Sequence, residues 1–382
     1  MGWNKKSNVA QFGEASWDNF VKKVSGITPQ EAMRRAFADP DITFFFYCRE
    51  YMVLEGPAAM YGPFNPGDAV FFTGKPWYGS APQCDSYEKT AVSTIYISPA
   101  DDQQFQNIGC YVLPDGTPAV DTVCLFAGNY AINTVPMLRA NNNTPPTQDP
   151  FNPNIQSVLS AGLVRYLQDK GITVLLTVMN AHTDTGWDEF TDQTTAQAFA
   201  DYLKKNVITP LGLDGIDIDD EYSKYQDMHG YYVDPSSLRG KSLAMATTLI
   251  KQTMPDKLIT KALWSDSGVF EAEWNGCTLG ANLSYGWEMN YYGGDANSRL
   301  SYYTRCGMKK NQLCLGFSAE NRFSDQWNSV EAAAAQTISD GYAGGMMFAY
   351  ENQPASITVM QSMVNGLDGP GSWNTDSSCK QA

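Results

Sequence analysis

A chain of 382 residues that is 43% hydrophobic can bury one large α/β barrel plus an appendage, or two ordinary domains, and is not expected to be disordered. A formal charge of −15 argues against a nucleic-acid partner, whose phosphates need a basic stripe, and against anionic membrane surfaces. With only His182 and His229 and no Cys-x-x-Cys or His-x-x-x-His spacing, neither a metal nor another cofactor is expected, and no run of about 18 apolar residues predicts a membrane-spanning helix.

The opening MGWNKKSNVAQFGEAS has no apolar stretch long enough for a signal peptide. Residues 1–90 then read as a small module of unknown role: a helix over TPQEAMRRAFADP, the aromatic ITFFFYCREYMVLEG, and the Pro- and Gly-rich YGPFNPGDAVFFTGKPWYGSAPQC. Phe71, Phe72, Trp77 and Tyr78 are expected in that module's own core rather than on a binding face. From residue 91 a rhythm sets in of a β-branched run, a polar loop and a helical stretch. Strands are predicted at 92–97, 122–126, 173–179, 213–219, 258–263, 282–287, 313–317 and 345–350.

Helices fall between most of them. One spans NIQSVLSAGLVRYLQDKG, one opens on a Thr194/Gln197 capping box, and one opens on Asn328 and Glu331. The segment after the first strand, DDQQFQNIGCYVLPDGTPAV, reads instead as a hairpin. Eight strands alternating with helices predict an α/β fold, a (β/α)8 TIM barrel over residues 91–366, with a flexible tail at 367–382. The eight cysteines are scattered, and spacing does not choose between disulfides and buried thiols. Glycosylation sequons occur at Asn142 and Asn282, the second inside a predicted strand, where a sugar is not expected.

The fourth predicted strand carries unusual charge. In LGLDGIDIDDEYSKY five carboxylates fall within eight residues, Asp214 to Glu221, with no Lys or Arg between them. Strand alternation sends Asp217, Asp219 and Glu221 one way and Ile216 and Ile218 the other. Three like charges on one face raise each other's pKa, which suits a site built to hold a proton better than a solvated face. In a (β/α)8 barrel the active site lies at the carboxyl ends of the strands, so Asp217 is expected inside, Asp219 at the rim and Glu221 at the mouth. Asp214 reads as a turn residue, and Asp220, facing away, as a supporting hydrogen-bond group.

DGIDIDDE matches the DGxDxDxE signature of glycoside hydrolase family 18, and its DDEY ending resembles the Endo H-like endo-β-N-acetylglucosaminidases. PDGTPAVDTVCLFAGNYAI, ITVLLTVMNAHTDTGW, MPDKLI, LSYGWEMNYYGG and DGYAGGMMFAY resemble that group's second, third, fifth, sixth and eighth strands, so the likeness covers roughly residues 90–365. The resemblance implies hydrolysis of the GlcNAc-β1,4-GlcNAc core of N-linked glycans, with chitinase-type cleavage of another GlcNAc polymer, or a non-catalytic chitinase-like lectin, as the alternatives. Catalytic roles would fall to Glu221 as general acid and base, Asp219 on the substrate's acetamido group, Asp217 beneath it, and Tyr285 on the acetamido oxygen. Trp287, Tyr292, Tyr350, His182, Asn180 and Glu288 are the expected substrate contacts, although Tyr350 and Phe348 stand where many family members carry a Trp. Export is expected without a signal peptide in the chain, and no oligomeric state is legible.

Overall fold

The computed structural model describes residues 3–13, 19–54, 62–99, 101–132, 136–139, 153–179, 186–221, 223, 234–264, 268–289, 291–351 and 353–376. Eight parallel strands close into a barrel in chain order: Val92–Ile97, Thr122–Ile132, Thr173–Met179, Gly215–Asp219, Leu258–Leu263, Tyr285–Glu288, Leu313–Ser318 and Gly344–Phe348, the eighth pairing with the first. Alternation sorts their side chains. Ile95, Val123, Leu176, Ile216 and Ile218 face the helical shell, whereas Tyr96, Cys124, Leu175, Trp287 and Met346 fill the interior. The interior is therefore a packed rod of side chains rather than a pore.

One backbone contact fixes the start of strand four. A Cβ on Gly215 would run into the Leu258 carbonyl of strand five, so the glycine of the DG pair lets two backbones approach.

Several local expectations change. The crossover after strand one is a helix, Asp102–Ile108, because the Asp101 side chain caps the Gln104 amide and Phe105 and Ile108 bury one face. The stretch after strand two's hairpin extension forms two helices, Pro153–Ser160 and Leu163–Gln168, broken at Gly162 with φ of 69°. Asp192, not Thr194, caps the next helix by accepting the Thr195 amide. Strand six begins only at Tyr285, and Asn282 ends a short helix with its side chain bonded to Thr247 and Thr248. The chain end is held further than expected: the last helix runs to Asp368, Trp373 stacks on Tyr111 at 4.4 Å, and Asn374–Thr375 pairs with Tyr111–Val112.

The first 90 residues form a five-stranded antiparallel sheet in the order Trp3–Gly13, Pro76–Lys89, Phe44–Cys48, Ala69–Phe72, Phe20–Val24, with the helix Pro29–Phe37 capped by Thr28. Phe71 and Phe72 are buried in it, and the side chains of Trp77 and Tyr78 lie outside the described residues. One face of this sheet, with Met33 and Phe37 of the helix, joins the same apolar cluster as the barrel interior. Arg34 pairs with Asp214 at the foot of strand four, and Lys309 reaches Asp41 at 2.6 Å. The module thus closes the amino end of the barrel and leaves the carboxyl end open.

Candidate active site

The five carboxylates of strand four are sorted along the barrel axis. Asp214 sits at the closed end, where it accepts the Val174 amide and the Gln168 amide group, both at 2.9 Å, and pairs with Arg34. Asp217 is fully buried in the interior and accepts four hydrogen bonds: Tyr96 hydroxyl at 2.7 Å, Thr177 at 3.2 Å, Thr260 at 2.6 Å and the Trp287 indole N–H at 3.0 Å. Burial raises this carboxyl above its ordinary value, and the four donors only partly offset that rise. A carboxyl group offers about four lone-pair sites, so four partners occupy all of them and fix the position of Asp217.

That carboxyl shapes its neighbour. Asp219, buried at the rim, is held well above the usual carboxylate range by desolvation, then by the charges of Glu221 and Asp217; the Lys261 ammonium pulls the other way. Lys261 is itself buried and donates to the Ala262 carbonyl at 2.7 Å. One oxygen of Asp219, Oδ1, is buried with no hydrogen-bond partner among the described residues. A buried carboxylate oxygen left unpaired costs on the order of 1–3 kcal/mol, which a ligand N–H would recover. Glu221 follows in a turn at the mouth and is half-buried.

Asp220 points away from this line and braces the turn. Its Oδ1 accepts both the Ser223 amide at 2.8 Å and the Ser223 hydroxyl at 2.6 Å. The same Ser223 oxygen accepts the Trp187 amide at 2.6 Å, tying the turn that carries Glu221 to the segment after strand three. Trp187 is fully buried, and its neighbour Asp188 is paired with Arg239 at 2.6 Å.

Asp219 and Glu221 open into a cavity of about 380 Å³. Its walls include Tyr96, Trp264, Tyr291, Tyr292, Phe323 and Phe348. Tyr291 packs edge-on against Phe323 at 5.4 Å and lies nearly parallel to Phe348. Burial first, then the charges of Asp219, Glu288, Glu320 and Glu221, push its phenol far above the usual range, so it stays a hydroxyl donor facing the acids. Tyr292 also lines the cavity but is 71% exposed, at its outer lip.

Four expected site residues are placed elsewhere. Tyr285 points to the closed end: it is fully buried, stacks on Phe37 at 4.7 Å and donates its hydroxyl to the Phe37 carbonyl at 3.0 Å. It cannot meet an acetamido group in the open cavity, and Tyr291 stands there instead. Trp287 lies parallel to Tyr285 beneath the site with its N–H committed to Asp217, so it supports the acid line rather than forming a sugar floor. Glu288 alternates outward from strand six into a buried ion pair with Arg299. Tyr350 turns into the helical shell, where it shares a hydrogen bond with Tyr111 at 3.1 Å. Asn180 and His182 lie outside the described residues.

Tyr96 and Tyr291 were not singled out from the sequence. Tyr96 had a signal: it sits one residue before the end of a predicted strand whose isoleucines occupy the opposite face. For Tyr291 the motif NYYGG offered two adjacent tyrosines, and only the turn after strand six decides which faces inward. Among the described residues no group of three or more His, Cys, Asp or Glu side chains is arranged to hold a metal ion.

Comparison with known proteins bears on the family and the fold. Residues 134–347 match the family described as the TIM-barrel domain of the endo-β-N-acetylglucosaminidase EndoS. The chain is 31% identical over 268 residues to endo-β-N-acetylglucosaminidase F1 of Elizabethkingia meningoseptica, covering 68% of this chain and 72% of that one. Among solved structures, EndoBT-3987 of Bacteroides thetaiotamicron in complex with Man9GlcNAc2Asn substrate is similar, with a TM-score of 0.51 at 19% identity over 81% of this chain and 79% of that one. A family 18 chitinase of Pseudoalteromonas aurantia has a TM-score of 0.52 at 16% identity over 72% of this chain and 100% of that one. At such identities the two structures share the fold alone.

Proposed function

Since the chain belongs to the glycoside hydrolase family 18 endo-β-N-acetylglucosaminidases, we propose that it hydrolyses the GlcNAc-β1,4-GlcNAc core of N-linked glycans with retention at the anomeric carbon. The observation that carries this reading is the unpartnered Asp219 Oδ1, buried beside Glu221 in an aromatic-walled cavity. A 2-acetamido group supplies the N–H that this oxygen lacks. Held there, the acetamido carbonyl oxygen reaches the anomeric carbon, and the Tyr291 hydroxyl is the donor available to steady it.

Glu221 protonates the glycosidic oxygen as the acetamido oxygen attacks, the bond to the leaving sugar breaks, and an oxazolinium ion forms. Glu221, now a carboxylate, takes a proton from water as that water attacks the anomeric carbon and reopens the ring. Asp217, held in place by its four partners, sits beneath Asp219, and any charge on it disfavours ionisation of Asp219. No second carboxylate nucleophile is needed. Action outside the cytosol fits the disulfide-bonded state of Cys110.

The test is to incubate the protein, beside a Glu221→Gln control, with a high-mannose glycoprotein and with soluble chitin oligomers, and to read the products by mass spectrometry. The expected result is a glycoprotein left with a single GlcNAc, with turnover reduced by at least about 10³-fold in Glu221→Gln while glycan binding persists. Cleavage of chitin oligomers alone would replace the N-glycan reading with a chitinase. Binding without cleavage by the unsubstituted protein would make it a lectin.

A further inference from the structure

We propose that Cys48 and Cys84 form a disulfide that staples strand Phe44–Cys48 to strand Pro76–Lys89 on the outer face of the amino-terminal sheet. The two residues are direct cross-strand partners in the antiparallel register, 36 positions apart in the chain. Their sulfur atoms lie 3.2 Å apart, so bonding at about 2.05 Å needs roughly 1 Å of approach. Both side chains are fully buried, in a cluster with Phe44, Phe46 and Phe64. The Cys84 thiol also lies 3.6 Å from the Met52 sulfur, so among the described residues the pair's side-chain partners are each other and that thioether.

A second observation points the same way. Cys110 is already disulfide-bonded, so the chain matures where thiols are oxidised. Under those conditions two sulfurs held in contact across a sheet do not stay reduced. Among the described residues the other free thiols are placed differently: Cys124 and Cys314 are packed inside the barrel, and Cys277 and Cys306 are half-exposed.

The chemistry is ordinary exchange. A thiolate of one cysteine attacks a small disulfide, such as oxidised glutathione, forming a mixed disulfide and releasing one reduced small thiol. The second cysteine, deprotonated, attacks the protein sulfur of that mixed disulfide and expels the other small thiol. The protein loses two protons and two electrons, and the small disulfide gains them. In the finished sheet the contact with Cys84, then burial, holds the Cys48 thiol protonated, so the bond closes while the sheet is still assembling. Once closed, it ties the covering segment around Met52 and Phe64 into a covalent loop.

The test uses the full chain, unfolded and refolded in a reduced and oxidised glutathione buffer, then denatured with iodoacetamide and no reductant. Peptide mass spectrometry is expected to find Cys48 linked to Cys84, with the linkage gone after dithiothreitol. Carbamidomethyl groups on both cysteines after that treatment would overturn the proposal. A Cys48→Ala/Cys84→Ala variant supplies the second readout. Reduction should lower the parent Tm by about 3 °C or more beyond any fall in the variant, with glycan cleavage equal in both. Equal falls on reduction in parent and variant would also overturn it.

Discussion

The two ends of this barrel are built from the same strands and do opposite things. At the closed end the amino-terminal helix and sheet press Phe37 against Tyr285, and Lys89 donates to the Ala36 and Asp39 carbonyls and to the Tyr285 hydroxyl. The strand-four carboxylate at that end, Asp214, is paired with Arg34 and accepts the Val174 amide and the Gln168 side-chain amide. At the open end Asp219 keeps an unpartnered oxygen beside Glu221, under a wall of rings. Strand four spans both, from Asp214 pinned by Arg34 to Glu221 at the mouth. Satisfied polar groups hold the structure together, while the unsatisfied acid oxygen in the open cavity costs stability and leaves a place for substrate.

The largest effect that separates the ends concerns the two strand-six tyrosines. Tyr291→Phe should lower kcat by about 10²-fold, because a donor that faces the reacting group is lost. Tyr285→Phe should leave kcat within about twofold and lower stability by about 1 kcal/mol through the lost bond to Phe37. Steady-state kinetics and thermal melts of both variants check this, and a reversed order would break the assignment. Next in size is the brace beneath Glu221. Ser223→Ala should lower kcat by about tenfold with KM little changed, because the Asp220–Ser223–Trp187 chain no longer fixes the turn. Ser223→Thr, which keeps the hydroxyl, should recover most of the rate.

Stability against pH sharpens the contrast further. Asp219 is raised above its unfolded value, so between that value and its folded one the native state binds more protons than the unfolded chain, and stability falls as pH rises. Asp219→Asn should therefore melt on the order of 3 °C above the parent at neutral pH and level with it near about pH 4, while turnover collapses. Lys89 has the opposite sign. Burial, against the pull of Asp39 and Asp41, lowers its ammonium from 10.5 to about 7. Between those values the unfolded chain binds more protons, so stability rises with pH through that window and its penalty is complete below it. Melts of the parent and Lys89→Met compared from about pH 6 to 10 should show the parent gaining relative to the variant as the pH rises. Parallel curves would show that the closed end holds Lys89 charged.

Much of this was legible beforehand. Period-two alternation in GIDID placed Ile216 and Ile218 in the shell and Asp217 and Asp219 inside, because the strand is buried on both faces and a one-residue slip would have put charge into the helical layer. The rhythm of strands and helices is likewise local, and it located all eight barrel strands. What failed was choosing among residues that local pattern treats alike. Tyr285 and Trp287 share the inward face of strand six with nothing in their spacing to say which end of the barrel each side chain leans toward. Glu288, one residue on, turns out to Arg299, a partner 11 residues away.

The sequence alone determined the barrel, the acid line and the direction in which that line opens, since all three rest on short-range alternation and on the sign of charge. Only the tertiary structure decided which rings meet the acids, because that depends on the turn after strand six and on which barrel end the first 90 residues seal. The four donors that fix Asp217 come from strands one, three, five and six. No single stretch of sequence contains them, and closure of the barrel is what brings them to one carboxylate.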